Sequence, residues 1–275
     1  MSLIKINSKE ALKSIKSKYS IWPKRGMSNR INSLPLPKIT PSFKFSNGDK
    51  FFCLGSCFAQ EIGYILGRHG FNVISNKPNP YMKGLWGDAN HLIRYNVYSI
   101  LNEINWALND RSSFNPSNMF LNDGNSLYMD PFGHTHENPH TYEEINRLRS
   151  FTLDVVKQIK SCKIIIITLG LVEVWHDELT SLFTNIQPSN KSIDEDIHRF
   201  NLKVLNYGQI QCALNNIHTL LTQYGHPDFK ILITTSPVPL HATFRNEDVL
   251  LANSYSKSVQ RAAIEEFTLN YSNVD

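Results

Sequence analysis

Residues 163–169, Lys-Ile-Ile-Ile-Ile-Thr-Leu, set four isoleucines in a row. A strand with one wet face alternates apolar and polar residues, because successive side chains point to opposite faces. An unbroken β-branched run must be buried on both faces, as in the centre of a parallel sheet. Lys50–Leu54 (KFFCL) and Lys230–Thr234 (KILIT) are runs of the same kind. They end at Gly55 and at Ser236–Leu240, and the isoleucine run ends at Gly170. Between the strands lie long amphipathic stretches. Leu92, Ile100, Leu101, Ile104 and Leu108 keep a helical period over 89–108; Ile210, Leu214, Ile217 and Leu221 do so over 206–223. Residues 58–69, 141–160 and 248–267 also read as helices, with Thr141-x-x-Glu144 as a capping box. Crossovers this long join parallel strands, so the spacing predicts an α/β fold with a mostly parallel sheet.

Other segments are less regular. Phe71–Ile74 reads as a short strand, Ser75–Trp86 as a loop and Asp194–Phe200 as a helix. Residues 110–141 read as one long loop and the stretch after Gly170 as a turn. The first 50 residues hold 11 Lys/Arg against 2 Asp/Glu, and the remainder 17 against 22. The basic excess is therefore an N-terminal property, read as a solvated arm and not as a nucleic-acid surface. Prolines and aromatics among its charges suggest a segment packed on the domain. The expected organisation is a basic segment at 1–19 and one α/β domain at 20–275. No apolar run is long enough for a membrane helix, and the first residues lack the apolar block of a secretory signal. Cys53, Cys57, Cys162 and Cys212 show no paired spacing. Free thiols and a cytoplasmic location are expected.

Residues 51–66 carry the chemistry. An apolar strand stops at Gly55, Ser56 and Cys57 follow, and a helix begins. A nucleophile on that turn sits at the carboxyl edge of the sheet, where open α/β folds place ligands. It also sits at a helix N-terminus, whose free N–H groups favour developing negative charge. Three such turns, Gly55–Cys57, Gly170–Glu173 and Ser236–Leu240, are expected to converge there.

The motif GSCFA at 55–59 resembles the signature of the GSCFA family. RYNVYSI (94–100), ITLGLVEVWHD (167–177), RF (199–200), TSPVPLHATF (235–244) and LANSYSKSVQRAA (251–263) resemble that family's other blocks, in order. The resemblance spans roughly residues 20–275. It implies a three-layer α/β/α sandwich with an SGNH-hydrolase-like, flavodoxin-like sheet, and acyl chemistry through a serine in polysaccharide biosynthesis. On that resemblance Ser56 is the nucleophile, and its backbone N–H helps to form the oxyanion hole. Gly170 opens the third block. The superfamily's asparagine two positions later is Val172 here, so Asn96 or the Ser56 and Cys57 amides would supply the missing donor. The resemblance also implies a further strand and an Asp-x-x-His block beyond Asp275. Within these residues His241 is the best substitute base.

Several residues carry two readings. Cys57 is an alternative nucleophile or a packing residue. Glu173 orients a base or binds a sugar hydroxyl, or is a carboxylate favoured by a helix dipole. Trp175 stacks on a sugar or belongs to the core. Asn253, Ser256, Lys257 and Arg261 line a cleft or face solvent. His134, His136 and His140 have a spacing that suits zinc, yet read as a solvated loop, so no metal and no cofactor is expected. The leading expectation is a serine esterase or O-acyltransferase acting on acyl groups of a glycan or its precursor. Ser56 and His241 would be catalytic, and Gly55, Cys57, Asn96, Gly170, Glu173 and Ser236 would bind the oxyanion or substrate. The alternative is a non-catalytic glycan-binding module of the same fold.

Overall fold

The structure, a computed structural model, describes residues 3–23, 26, 37–81, 90–133 and 140–275. Residues 1–42 and 43–275 are two compact units. The first unit holds helix α1 (Ser8–Ser14), capped where the Asn7 side chain accepts the Glu10 N–H.

The larger unit runs β1 (Lys50–Gly55), α2 (Cys57–Arg68), β2 (Asn72–Val73), α3 (Val97–Leu108), α4 (Pro116–Met119), β3 (Leu121–Gly124), β4 (Leu127–Met129) and β5 (His140–Thr141). It continues with α5 (Tyr142–Lys157), β6 (Ile164–Leu169), β7 (Glu173–Asp177), β8 (Leu182–Phe183), α6 (Asn190–Glu195), β9 (Phe200–Val204), α7 (Tyr207–Tyr224), β10 (Lys230–Thr235) and α8 (Val249–Asn270).

The main sheet has the order β10-β6-β1-β2, with every pair parallel. Its two faces divide the apolar runs by alternation. Phe52, Leu54, Ile165 and Ile167 join a core that includes Ile100 of α3, Val156 of α5, Leu214 of α7 and Phe267 of α8. Phe51, Cys53, Ile164 and Ile166 pack with Ala59 of α2. Helices therefore cover both faces, and the fold is a three-layer α/β/α sandwich. The four isoleucines are buried because β6 lies inside this sheet. Asn273–Asp275 continues the sheet beside β10, where Ile231 and Ile233 donate to the carbonyls of Asn273 and Asp275 at 2.9 and 2.8 Å. From β1 the chain moves one way to β2, while β6 and β10 lie the other way. The strand order reverses between β1 and β6, and their carboxyl ends flank the crevice that such a switch point leaves.

Three segments differ from the sequence reading. The stretch 110–141 is not one loop: it contains α4 and an antiparallel sheet β3-β4-β5. Asn125 and Ser126 both have positive φ, 51° and 60°, the twist that lets a tight hairpin turn match its strands. Residues 173–177 form a strand and not a turn, and the helix expected at 194–200 ends at Glu195. Phe200, Leu202 and Val204 alternate, and β9 pairs antiparallel with β7 over its whole length.

A buried ionic cluster ties α3, α5 and the segment before α3 together. Glu103 Oε2 accepts from Arg94 Nε (2.9 Å), Arg94 Nη2 (2.6 Å) and Arg149 Nη1 (2.7 Å). Arg149 Nε donates to Asp130 at 2.8 Å. Arg94 Nη1 donates to the carbonyls of His91 and Ile93, fixing the strip that runs past the end of β1.

Candidate active site

Gly55 ends β1 with φ of 141°, and a Cβ there would lie 2.3 Å from the Thr168 carbonyl oxygen. Both facts require glycine. The close approach lets the Ser56 N–H donate to that carbonyl at 3.0 Å. Ser56 is the N-cap of α2, its Oγ accepting the Phe58 N–H at 3.3 Å. The same Oγ shares a 2.9 Å hydrogen bond with Thr168 Oγ1 across the strand pair. Ser56 is 3% exposed.

These bonds alter the expected oxyanion site. The Ser56 amide is committed to Thr168, so it is not the free donor. Among the described residues the Cys57 amide, the first of α2, has no acceptor, and neither does the Gly170 amide. Gly170 also needs to be glycine, for proximity: a Cβ there would meet the Tyr95 carbonyl oxygen at 2.7 Å and Ser56 Cβ at 3.3 Å. Its own carbonyl accepts from Lys257 Nζ and Gln260 Nε2, at 3.2 and 3.3 Å. Burial lowers the Lys257 ammonium pKa, partly offset by the attraction of the Cys57 thiol. Tyr95 is raised to about 12, by burial and then by the same thiol.

Asn96 lies beside the same turns and has a structural task of its own. It caps α3, with Oδ1 accepting the Ser99 N–H at 2.9 Å and Nδ2 donating to the Thr184 carbonyl at 2.9 Å. Val172 is a core residue whose carbonyl accepts the Leu205 N–H. Glu173, on the strand that replaces the expected turn, accepts the Thr243 hydroxyl at 2.7 Å and the Phe244 N–H at 2.8 Å. It thereby clamps the segment between β10 and α8, the segment that carries His241. Asn253 holds the same segment from α8, accepting the Leu240 N–H at 3.1 Å. Ser236 is buried, its amide on the Leu169 carbonyl and its Oγ accepting the Val238 N–H.

The three strand-end turns meet around one cavity of about 560 Å³. Ser56, Cys57, Gly170, Glu173, Ser236 and His241 all line it. His241 is exposed, and no hydrogen bond joins it to Ser56 among the described residues. Trp175 lies in the wall with its ring against Phe244, centroids 5.4 Å apart, and its buried indole nitrogen has no partner among the described residues. Sequence reasoning missed Thr168 and Asn185. Thr168 carries a visible signal, the one hydroxyl in an otherwise apolar central strand. Asn185 carries none: it lies in the wall because its side chain bonds Tyr95, Ile93 and Gly133, distant in sequence. Arg261 instead pairs with Glu265 on the surface of α8, and Ser256 is buried. His134 and His136 lie outside the described residues, while His140 belongs to β5. Among the described residues no three potential metal ligands cluster.

A doubly wound α/β protein with a capping serine at its switch point is what this fold and site define. The chain belongs to the GSCFA family, which it matches over residues 50–275. No curated protein and no solved structure matches it. No helix among the described residues is long and apolar enough to cross a membrane.

Proposed function

We propose that the protein is a serine-dependent esterase or O-acyltransferase of SGNH type, acting on acyl groups of a glycan or polysaccharide precursor in the cytoplasm. The observation that carries the reading is Ser56, which opens on a cavity at the switch point beside the free Cys57 amide. Ser56 Oγ attacks the acyl carbonyl carbon and passes its proton to His241. The carbonyl oxygen becomes an oxyanion, held by the Cys57 and Gly170 amides. Collapse expels the alcohol, which takes the proton from His241 and leaves an acyl-serine. Water or a second hydroxyl then attacks this ester with the same base, releasing the acyl group and restoring Ser56. Thr168 orients the resting hydroxyl, and Glu173 keeps the His241 segment over the cavity.

A second reading has its own observation. Ser56 Oγ is bonded to Thr168 and not to a histidine, the arrangement of a helix cap in a non-catalytic glycan-binding module. Fluorophosphonate labelling, with the adduct located by peptide mass spectrometry, separates the two. A stoichiometric adduct on Ser56, lost in Ser56→Ala and slowed at least tenfold in His241→Ala, is expected for the enzyme. A folded chain without an adduct would leave the binding module.

A further inference from the structure

The cavity beside Ser56 is built for an apolar chain. Leu171, Val174, Trp175, Ile186, Val238 and Phe244 are among its walls. Several polar side chains in its wall are already committed, although among the described residues the Trp175 indole nitrogen is not. Asn96 and Asn185 bond backbone groups, and both Glu173 oxygens bond the 243–244 backbone and hydroxyl. A sugar ring placed here would lose hydrogen bonds to water and find few in return, at a cost that rises with each buried hydroxyl. An alkyl chain loses none and gains from leaving water. The exposed polar residues Gln187 and His241 stand where the wall meets solvent.

The size of the cavity narrows the choice. At about 560 Å³ it falls in the range of clefts that take a drug-sized ligand, so a two-carbon acyl group would fill only a corner of it. A chain of about eight to twelve carbons belongs to that size class. We infer that the cavity is the acyl site, and that the transferred group is a medium-chain acyl of about eight to twelve carbons, not acetyl. This assignment rests on the acyl-transfer reading for its chemistry, with the carbonyl at Ser56 and the chain running along Leu171, Val174 and Ile186. The glycan hydroxyl then approaches from the solvent side, past Gln187 and His241.

The test uses binding and turnover on the full chain. Straight-chain carboxylates from butanoate to decanoate are titrated into wild type and Ser56→Ala, followed by calorimetry and by tryptophan fluorescence. Affinity should rise about fourfold per methylene, as burial of each CH₂ group predicts. The kcat/KM of p-nitrophenyl esters should climb in the same order, with the acetate ester the poorest. Val238→Trp and Ala242→Trp put bulk into the wall from an exposed segment. Each should weaken decanoate at least tenfold and butanoate far less, with circular dichroism melts confirming the fold. Flat affinities, or a preference for the acetate ester while Ser56 is labelled by fluorophosphonate, would overturn the chain-length assignment and leave the serine reading standing. Chain-length-dependent binding without any Ser56 adduct would keep the apolar site and overturn only the acyl-transfer reading.

Discussion

Replacing Glu103 by glutamine removes the one carboxylate that two buried arginines share. Glu103 and Arg94 have fully buried side chains, and that of Arg149 is 3% exposed. Three guanidinium N–H groups converge on the single oxygen Oε2. Glutamine keeps an oxygen there but not the charge, so among the described residues Arg94 and Arg149 would remain buried with Asp130 as the cluster's one carboxylate. Breaking a buried pair by removing one partner costs about 3–5 kcal/mol, against a total stability of about 5–15 kcal/mol. At about 2–4 °C per kcal/mol for a domain of this size, melting should fall by about 6–20 °C. Glu143→Gln is the internal comparison. Its pair with Arg147 is more than half exposed on both sides, and it should cost less than about 1 kcal/mol. Acidity gives a second readout. Burial raises the Glu103 carboxyl, but Arg149 and then Arg94 outweigh it, and the group is held below its ordinary value of 4.5. A carboxylate with a depressed folded pKa contributes stability that is complete above its unfolded value and disappears as pH falls through the folded one. Wild type should therefore keep this contribution at neutral pH and lose it progressively below pH 4.5, while Glu103→Gln follows a flatter curve. Scanning calorimetry from pH 7 to pH 3 measures both effects. A variant within about 1 kcal/mol of wild type, with a parallel pH curve, would refute the assignment of an ionised Glu103 as the hub.

Three further outcomes are expected. Glu173→Ala releases the Thr243 hydroxyl and the Phe244 amide, so hydrogen exchange over 236–248 should quicken by about 10–100-fold, the equivalent of losing a charged acceptor; unchanged exchange at Phe244 would exclude the clamp. Gly170→Ala drives a methyl group to 2.7 Å from the Tyr95 carbonyl and should lower stability by about 1–3 kcal/mol in urea denaturation, while slowing any labelling of Ser56; a wild-type midpoint would show that the turn yields freely. Cys53 and Cys162 are buried thiols pushed up to about 12 and about 11, chiefly by burial, whereas Cys212 is exposed. At pH 8 a disulfide reagent should therefore find Cys212 at once and Cys53 and Cys162 only after denaturation; fast reaction of either in the folded protein would contradict the packing of β1 and β6.

The elements that the sequence determined by itself are those with short-range causes. The strand, turn and helix around Gly55–Cys57 are written in adjacent residues. So are the isoleucines of β6 and the capping boxes of α3, α5 and α7, whose donor and acceptor lie three residues apart. Period and capping act within a few residues, so they survive in a linear reading. Tertiary structure alone decided which of these elements become neighbours. Thr168 reaches the Ser56 hydroxyl across 112 residues of chain, and its carbonyl accepts the serine amide as well. Glu173 acquires its role from Phe244, 71 residues on, and β7 is a strand because β9 pairs with it. A short stretch such as Glu-Val-Trp-His-Asp is stabilised as a strand mainly by its partner's hydrogen bonds and side chains, so its own residues underdetermine it. The cavity has the same origin: its walls come from the ends of β1, β6 and β10 and from β7, and they enclose a volume only when the parallel sheet brings those ends to one edge.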